Sequence, residues 1–357
     1  MKFSRIIVRG MQGGRFMDRR SFLKVIGGTA AATALAGRLD EAVAALEGSA
    51  KEEGKPFPKR TLGKTGEKVS IIGFGGLSLR FEEQPGVNES VAFAIDRGIN
   101  CFDVAPAYGD AEEKMGIALQ GKRNKVFLSC KTGRRDKEGA RLELERSLKR
   151  LKTDHFDLYQ MHHIRTKEET EKALGPGGAM ETFLEAKKKG QVRFLGFSAH
   201  TMKAALLAME KFPFDTVMFP INFGEFLVTG FGPPVVRMAS EKGMGIIAIK
   251  PMYAGLWPEG AKPPAPKWWY KPLFDREEID LGLRFTLSQP GVTTAIPPSD
   301  VGLIRTAIEV APDYRPLTDD DRKKLKEMAE GFISHFEGEE KQAVTHHRYW
   351  EDTPVAV

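Results

Sequence analysis

The sequence predicts a closed (β/α)8 barrel of the TIM type, with an N-terminal β-hairpin and an extra helix and tail at the C-terminus. Three observations carry this reading. Eight short runs rich in apolar and β-branched residues recur along the 357 residues. Amphipathic helical stretches separate them. The repeat is about 30 residues, the length of a parallel strand with its crossover helix.

The runs are VSIIGFGG (69–76), NCFDVA (100–105), KVFLSCKT (125–132), FDLYQMHH (156–163), VRFLGFSAH (192–200), TVMFPIN (216–222), GIIAIKPM (245–252) and VTTAIPPS (292–299). Between them, GARLELERSLKRLK repeats Leu144, Leu148 and Leu151 at helical spacing, and AMETFLEAKKKG closes on lysines and a glycine as a helix C-terminus does. An open doubly wound sheet is the competing architecture. Its first strand–helix junction carries a G-x-G-x-x-G phosphate loop, and GFGGLSLR lacks that spacing. Thr318 ahead of Asp319–Asp321 reads as an N-cap with an acidic first turn, so a further helix follows the eighth strand. The barrel is expected over residues 58–333, with a tail from 334 to 357 lying over or beside its mouth. Beyond this strand–helix alternation, no internal sequence repeat and no low-complexity region is visible. WPEGAKPPAPKWWYKP reads as a long loop.

Charge is unevenly placed. The chain holds 54 Lys/Arg and 48 Asp/Glu; removing the eight basic and three acidic residues of segment 1–44 leaves 46 and 45, a near-neutral body. No basic face for nucleic acid is indicated. The leader, DRRSFLKVIGGTAAATALAG, resembles a twin-arginine export signal. Its apolar stretch, Val25 to Ala36, is far shorter than the ~20 residues of a membrane span. Met17 is a plausible start and Ala42-Val43-Ala44 a plausible cleavage site, with a polar linker over 45–57. The resemblance implies passage through the twin-arginine machinery to a periplasmic or other extracytoplasmic location, with the cofactor loaded before export. Two cysteines are present. Cys101 shares the strand parity of Asp103, whereas Cys130 has the opposite parity to Lys131, so the pair faces different ways and no disulfide is expected. Neither has metal-motif spacing.

The strand ends concentrate chemistry, and in such barrels the C-terminal strand ends carry the site. Asp103 follows strand two with Tyr108 just beyond, Lys131 follows strand three, and His162 follows strand four. A tyrosine titrates near ~10, high for a proton donor and acceptor at neutrality. A neighbouring Lys131 cation is expected to lower that value, and Asp103 to keep the lysine charged and fixed. His162 can orient a substrate oxygen. The set suits carbonyl reduction, with a cofactor as hydride source.

RTLGKTGEKVSIIGFGG, FDVAPAYGDAEEKMG, ERSLKRLKTDHFDLYQMH and GQVRFLGFSAH together resemble the aldo-keto reductase family, from about Arg60 to Glu309. The resemblance implies a catalytic tetrad of Asp103, Tyr108, Lys131 and His162, with His163 as a flanking residue. It also implies a nicotinamide dinucleotide across the mouth, NADP(H) before NAD(H), and a small carbonyl substrate. Cofactor contacts implied are Ser198, Met218 (where many members have glutamine), Pro251, Met252, Gly255, Ser299 and Arg305. Ala199 replaces the usual asparagine, Ile249 falls where an aromatic often stacks, and Pro298 replaces a lysine used near the adenosine phosphate. Ser299 either touches that phosphate or caps the last helix.

Trp257, Trp268, Trp269 and Tyr270 either wall an apolar substrate pocket or pin their loop to the barrel. His346 and His347 lack the i, i+4 spacing of a helical metal pair, so no metal site is expected. The leading expectation is an exported carbonyl reductase. The alternative is a cofactor-bound redox sensor of the same fold with little turnover. A metal-dependent barrel hydrolase, which needs carboxylate and histidine ligands on several strands, ranks last.

Overall fold

The computed structural model describes residues 56–265 and 267–342. The segment 1–44 that resembles a twin-arginine signal, most of the linker expected over 45–57, and His346 and His347 lie outside the described residues. Ten strands run in chain order as β1 (Lys59–Thr61), β2 (Lys68–Ser70), β3 (Phe74–Gly75), β4 (Cys101–Asp103), β5 (Phe127–Thr132), β6 (Phe156–Ile164), β7 (Val192–Ala199), β8 (Thr216–Pro220), β9 (Gly245–Ile249) and β10 (Val292–Ile296).

Strands β3 to β10 form one sheet in sequence order, every pair parallel. A bridge between Ile72 and Ala295 joins the first stave to the last. There Gly73 N–H donates to Ala295 O at 2.9 Å and Ala295 N–H to Ile71 O at 2.9 Å. The sheet thus returns on itself, which removes exposed edges. The parallel order follows from the crossovers: each stave is followed by a helix that packs back on the barrel.

One expected strand divides in two. Residues 69–76 read as a single apolar run, but its start is β2, the antiparallel partner of β1, and only its end becomes a stave. The hairpin plugs the base of the barrel. Leu62 and Val69 are buried there with Cys101, Phe127, Leu158, Met218, Ile247 and Ile296. Gly63 makes this approach possible: its φ is +48°, and a Cβ would sit 2.2 Å from the Gly245 nitrogen.

The helices form for ordinary reasons. Lys137–Arg150 begins at Asp136, whose carboxylate accepts from Gly139 N–H at 2.7 Å, and it buries Leu144 and Leu148. Ala179–Lys188 ends ahead of Gly190 in the left-handed region, as its lysine–glycine ending predicts. Thr318 caps helix Asp319–Met328 as expected, and Asp321 joins it in a full capping box. A short helix, Phe336–Gln342, follows, with Phe336 wholly buried against Phe231, Tyr253 and His200. Both cysteines are free and buried. Cys101 faces the plugged interior, and Cys130 faces outward to Glu112, as strand parity requires.

Candidate active site

Three consecutive staves supply the candidate site at one end of the barrel. Asp103 ends β4, and the chain turns at once, with Tyr108 N–H donating to Ala105 O at 3.0 Å. The turn presents the phenol above the stave before helix Ala111–Ala118 begins. Register sets Asp103 beside Ser129 of β5, and Lys131 beside Gln160 of β6.

These neighbours saturate Asp103. One oxygen accepts the Lys131 ammonium. The other accepts from Ser129 Oγ at 3.0 Å and Gln160 Nε2 at 3.3 Å. Lys131 is fully buried and also donates to Val104 O at 3.3 Å. Its ammonium stands 5.2 Å from the centroid of the Tyr108 ring, and the His162 ring meets Tyr108 edge-on at 5.6 Å. Asp103, Tyr108, Lys131 and His162 are therefore brought together.

Electrostatics departs from the simple expectation in one respect. Burial pushes the Tyr108 phenol above its ordinary value of 10.0, outweighing the Lys131 charge, and Asp103 adds to the rise. The lysine cation still pulls the phenol down, but burial and the Asp103 carboxylate together outweigh it. Burial alone lowers Lys131, but Asp103 and Tyr108 carry it above the usual lysine range. Burial, with Lys131 and His163, holds His162 well below the usual histidine range. The rim thus presents a phenol, an ammonium, a carboxylate and a neutral imidazole.

The expected cofactor contacts are more scattered. Ser198 is buried at the end of β7, and its Oγ accepts the His163 backbone N–H at 2.7 Å. Met218 is a core residue in the plugged interior. Pro251 and Met252 are buried after β9, while Gly255 takes φ +93° and its nitrogen neighbour Leu256 donates to Ile333 O at 2.9 Å. Ser299 is half-buried; the following residue, Asp300, caps helix Val301–Val310 instead. Arg305 is engaged on helix Gln84–Asp96, pairing with Glu89 at 3.1 Å and stacking on Phe93 at 4.4 Å. The aromatic loop is pinned: Trp257 Nε1 donates to Trp268 O at 2.7 Å, and Trp268 and Tyr270 are buried, leaving Trp269 exposed.

Several rim residues escaped the sequence reading. Gln160 and Ser129 orient Asp103; being uncharged and mid-strand, they carry no signal. Lys250, at the end of β9, has φ +60° and faces the rings of Trp269 and Phe336. Burial lowers it to about 8. A lysine closing an apolar stave could have flagged it. Lys267, from the long loop, pairs with Asp300 at 2.5 Å, next to Ser299. His163 and His200 meet at 3.8 Å between ring centroids.

A cleft of about 630 Å³ lies at the opposite end, lined by Glu67, Asn100, Arg123, Asp157 and Arg193 among others. Its two arginines are already paired, Arg123 with Asp157 at 2.9 Å and Arg193 with Asp157 at 2.6 Å. At the N-terminal face such pairing serves stability rather than chemistry.

Comparison with known proteins points the same way as the rim. Residues 71–269 match the model of the "Aldo/keto reductase family". The chain is 26% identical over 303 residues to "Uncharacterized oxidoreductase YqkF" of Bacillus subtilis, covering 75% of this chain and 95% of that protein. It is 29% identical over 221 residues to L-galactose dehydrogenase of Arabidopsis thaliana, covering 57% and 68%. The holo form of aldo-keto reductase AKR11C1 from Bacillus halodurans superposes with a TM-score of 0.62 at 22% identity, over 78% of this chain and 98% of that one.

Proposed function

We propose, since this chain belongs to the aldo/keto reductase family and is an NAD(P)H-dependent oxidoreductase, that it reduces a small aldehyde or ketone to the alcohol through Asp103, Tyr108, Lys131 and His162. The observation that carries the reading is Lys131, buried between the Asp103 carboxylate and the face of the Tyr108 ring.

The rim fits a nicotinamide dinucleotide. The Ser198 hydroxyl, already accepting from His163, keeps its own hydrogen to donate. Asn222 Nδ2, buried just after β8, has no partner among the described residues, which suits a carboxamide. Lys250 offers a cation for a pyrophosphate. When bound, the nicotinamide supplies the hydride. Tyr108, held as a phenol, donates its proton to the substrate oxygen as charge develops there. Lys131, kept charged by Asp103, stabilises the phenolate left behind. Neutral His162 orients the carbonyl oxygen toward the phenol.

NADP(H) is the preferred dinucleotide in this reading. Lys267 beside Ser299 and Asp300 supplies the positive charge that Pro298 cannot, and Arg305 adds a second. Residues 1–44 act as a twin-arginine signal that sends the folded enzyme to a periplasmic or other extracytoplasmic location; replacing Arg19 and Arg20 by lysines should stop export. The reaction itself is tested by mixing purified protein with NADPH or NADH and a panel of aldehydes and ketones, following loss of the reduced cofactor's absorbance. Cofactor binding without turnover on the whole panel would overturn the reductase reading in favour of a sensor.

A further inference from the structure

Three side chains from distant parts of the chain converge beside the tetrad: His163 from β6, His200 just after β7, and Glu339 from helix Phe336–Gln342. Their donor atoms all lie within 4.8 Å of one another. His163 Nε2, His200 Nδ1 and Glu339 Oε2 are each buried and without a hydrogen-bond partner among the described residues. Three such atoms in one place are costly unless something satisfies them together.

Local backbone builds this meeting. Neighbouring strand residues point to opposite faces, so a regular β6 would send His162 and His163 apart. The β6–β7 register breaks between Met161 and Ile164, and His163 takes φ +57°. Its backbone N–H reaches Ser198, and its ring reaches His200.

We propose that His163, His200 and Glu339 bind one divalent transition-metal ion of the zinc class, clamping helix Phe336–Gln342 to the ends of β6 and β7. Two imidazoles and a carboxylate with a fourth position open is a donor set that zinc accepts. Nitrogen and oxygen ligands ~2.0–2.1 Å from zinc at tetrahedral angles stand roughly 3.4 Å apart. His200 Nδ1 and Glu339 Oε2 are 3.5 Å apart. Both imidazoles are held neutral, as ligation requires: burial and nearby cations take His163 to about 4 and His200 well below its ordinary value. Arg165 approaches the other carboxylate oxygen, Oε1, at 3.7 Å, as does His335 at 3.9 Å, which leaves Oε2 for the ion. Lys250 and Arg165 weaken the local attraction for a cation, so affinity rests on the two imidazole bonds. Mg²⁺, which prefers oxygen ligands and its own water, should not compete.

The test uses the full chain, stripped with chelator, titrated with Zn²⁺ and with Co²⁺, and analysed for retained metal after desalting. One ion per chain is expected, with a visible Co²⁺ band indicating low coordination number and no displacement by excess Mg²⁺. His200→Ala and Glu339→Gln should each weaken binding at least ~10-fold, and Zn²⁺ should slow proteolysis near residue 336 only in the parent. Circular dichroism confirms that the variants fold. Folded parent that retains no zinc overturns the proposal. So does undiminished binding in both variants, which would place the metal elsewhere. Neither result bears on carbonyl reduction.

Discussion

Lys131 donates its ammonium to Asp103 inside the barrel wall, with the lysine side chain fully buried and that of the aspartate 6% exposed. A buried pair is not in itself a strong stabiliser, but removing one partner leaves the other uncompensated. Asp103→Asn should therefore lower the unfolding free energy by about 3–5 kcal/mol. It should also lower turnover, because burial then favours the neutral lysine and the phenolate loses its counter-charge. Denaturant titration and kcat on the same preparation check both effects. An unchanged midpoint with unchanged kcat would remove the pair from either role.

Tyr108→Phe keeps the ring that Lys131 and His162 contact and deletes only the hydroxyl. Turnover should fall by at least ~10²-fold, the scale of general acid catalysis, while the Kd for NADPH stays nearly constant. The pH dependence follows from the same geometry. A proton donor is active below its pKa, and that of Tyr108 is displaced upward from 10.0, chiefly by burial. Reductive kcat should thus stay level through neutrality and fall only on the alkaline side. His162 lies well below 6.5 and is already neutral there, so no inflection near that value is expected. A kcat profile with a midpoint at 6.5 would shift the acid role away from Tyr108.

These four residues were legible because Asp103, Lys131 and His162 stand at the ends of recognisable staves and Tyr108 follows the first of them closely, and strand parity alone puts Lys131 and Asp103 on the interior face. The dual fate of residues 69–76 was not legible. Val69 and Phe74 are equally apolar, and only the approach of Gly63 to Gly245 separates plug from stave. Nor does anything in the string MHHI announce the register break that turns His163 toward His200. Glu339 lies 139 residues beyond His200, on a helix read only as tail. Arg305 looked free for a phosphate until its partner Glu89, 216 residues earlier, came into view.

Glu225 ties the C-terminal segment to the barrel. Its carboxylate accepts from Ser334 Oγ at 2.9 and 2.8 Å and from Thr229 Oγ1 at 2.9 Å. Burial nevertheless raises it from 4.5 to about 7, against the effect of those hydroxyls. The folded state therefore binds this proton more tightly than the unfolded chain does. The resulting stability is fully present below pH 4.5 and is lost as pH rises through about 7. Glu225→Gln, which keeps the shape without the ionisation, should flatten the decline over that window and gain on the parent at pH 8. Melting temperatures across pH measure it; parallel curves for the two proteins would show that Glu225 binds its proton no more tightly in the fold than in the unfolded chain.

In the proposed reading, dinucleotide choice turns on two cations, Lys267 and Arg305, that the strand pattern does not reveal together. Lys267 leans on Asp300 with its side chain 24% exposed, and Arg305 on Glu89 with 44% exposed. The Arg305–Glu89 pair is exposed and contributes at most about 1 kcal/mol, so Arg305 can leave its partner for a phosphate at little cost, whereas Lys267 must give up a part-buried contact with Asp300. A charge-assisted phosphate contact contributes about 1.5–3 kcal/mol, which corresponds to roughly ten- to a hundredfold in affinity. Lys267→Ala and Arg305→Ala should each raise the KM for NADPH by about tenfold or more while changing the KM for NADH less than twofold, with kcat preserved for both. Asp300→Asn frees Lys267 from its carboxylate and should move NADPH the other way, provided helix Val301–Val310 keeps its cap, which asparagine supplies as well as aspartate. Equal losses for the two cofactors in the alanine variants would mean that these cations hold the shared pyrophosphate or the loop itself, and the preference for NADP(H) would fall.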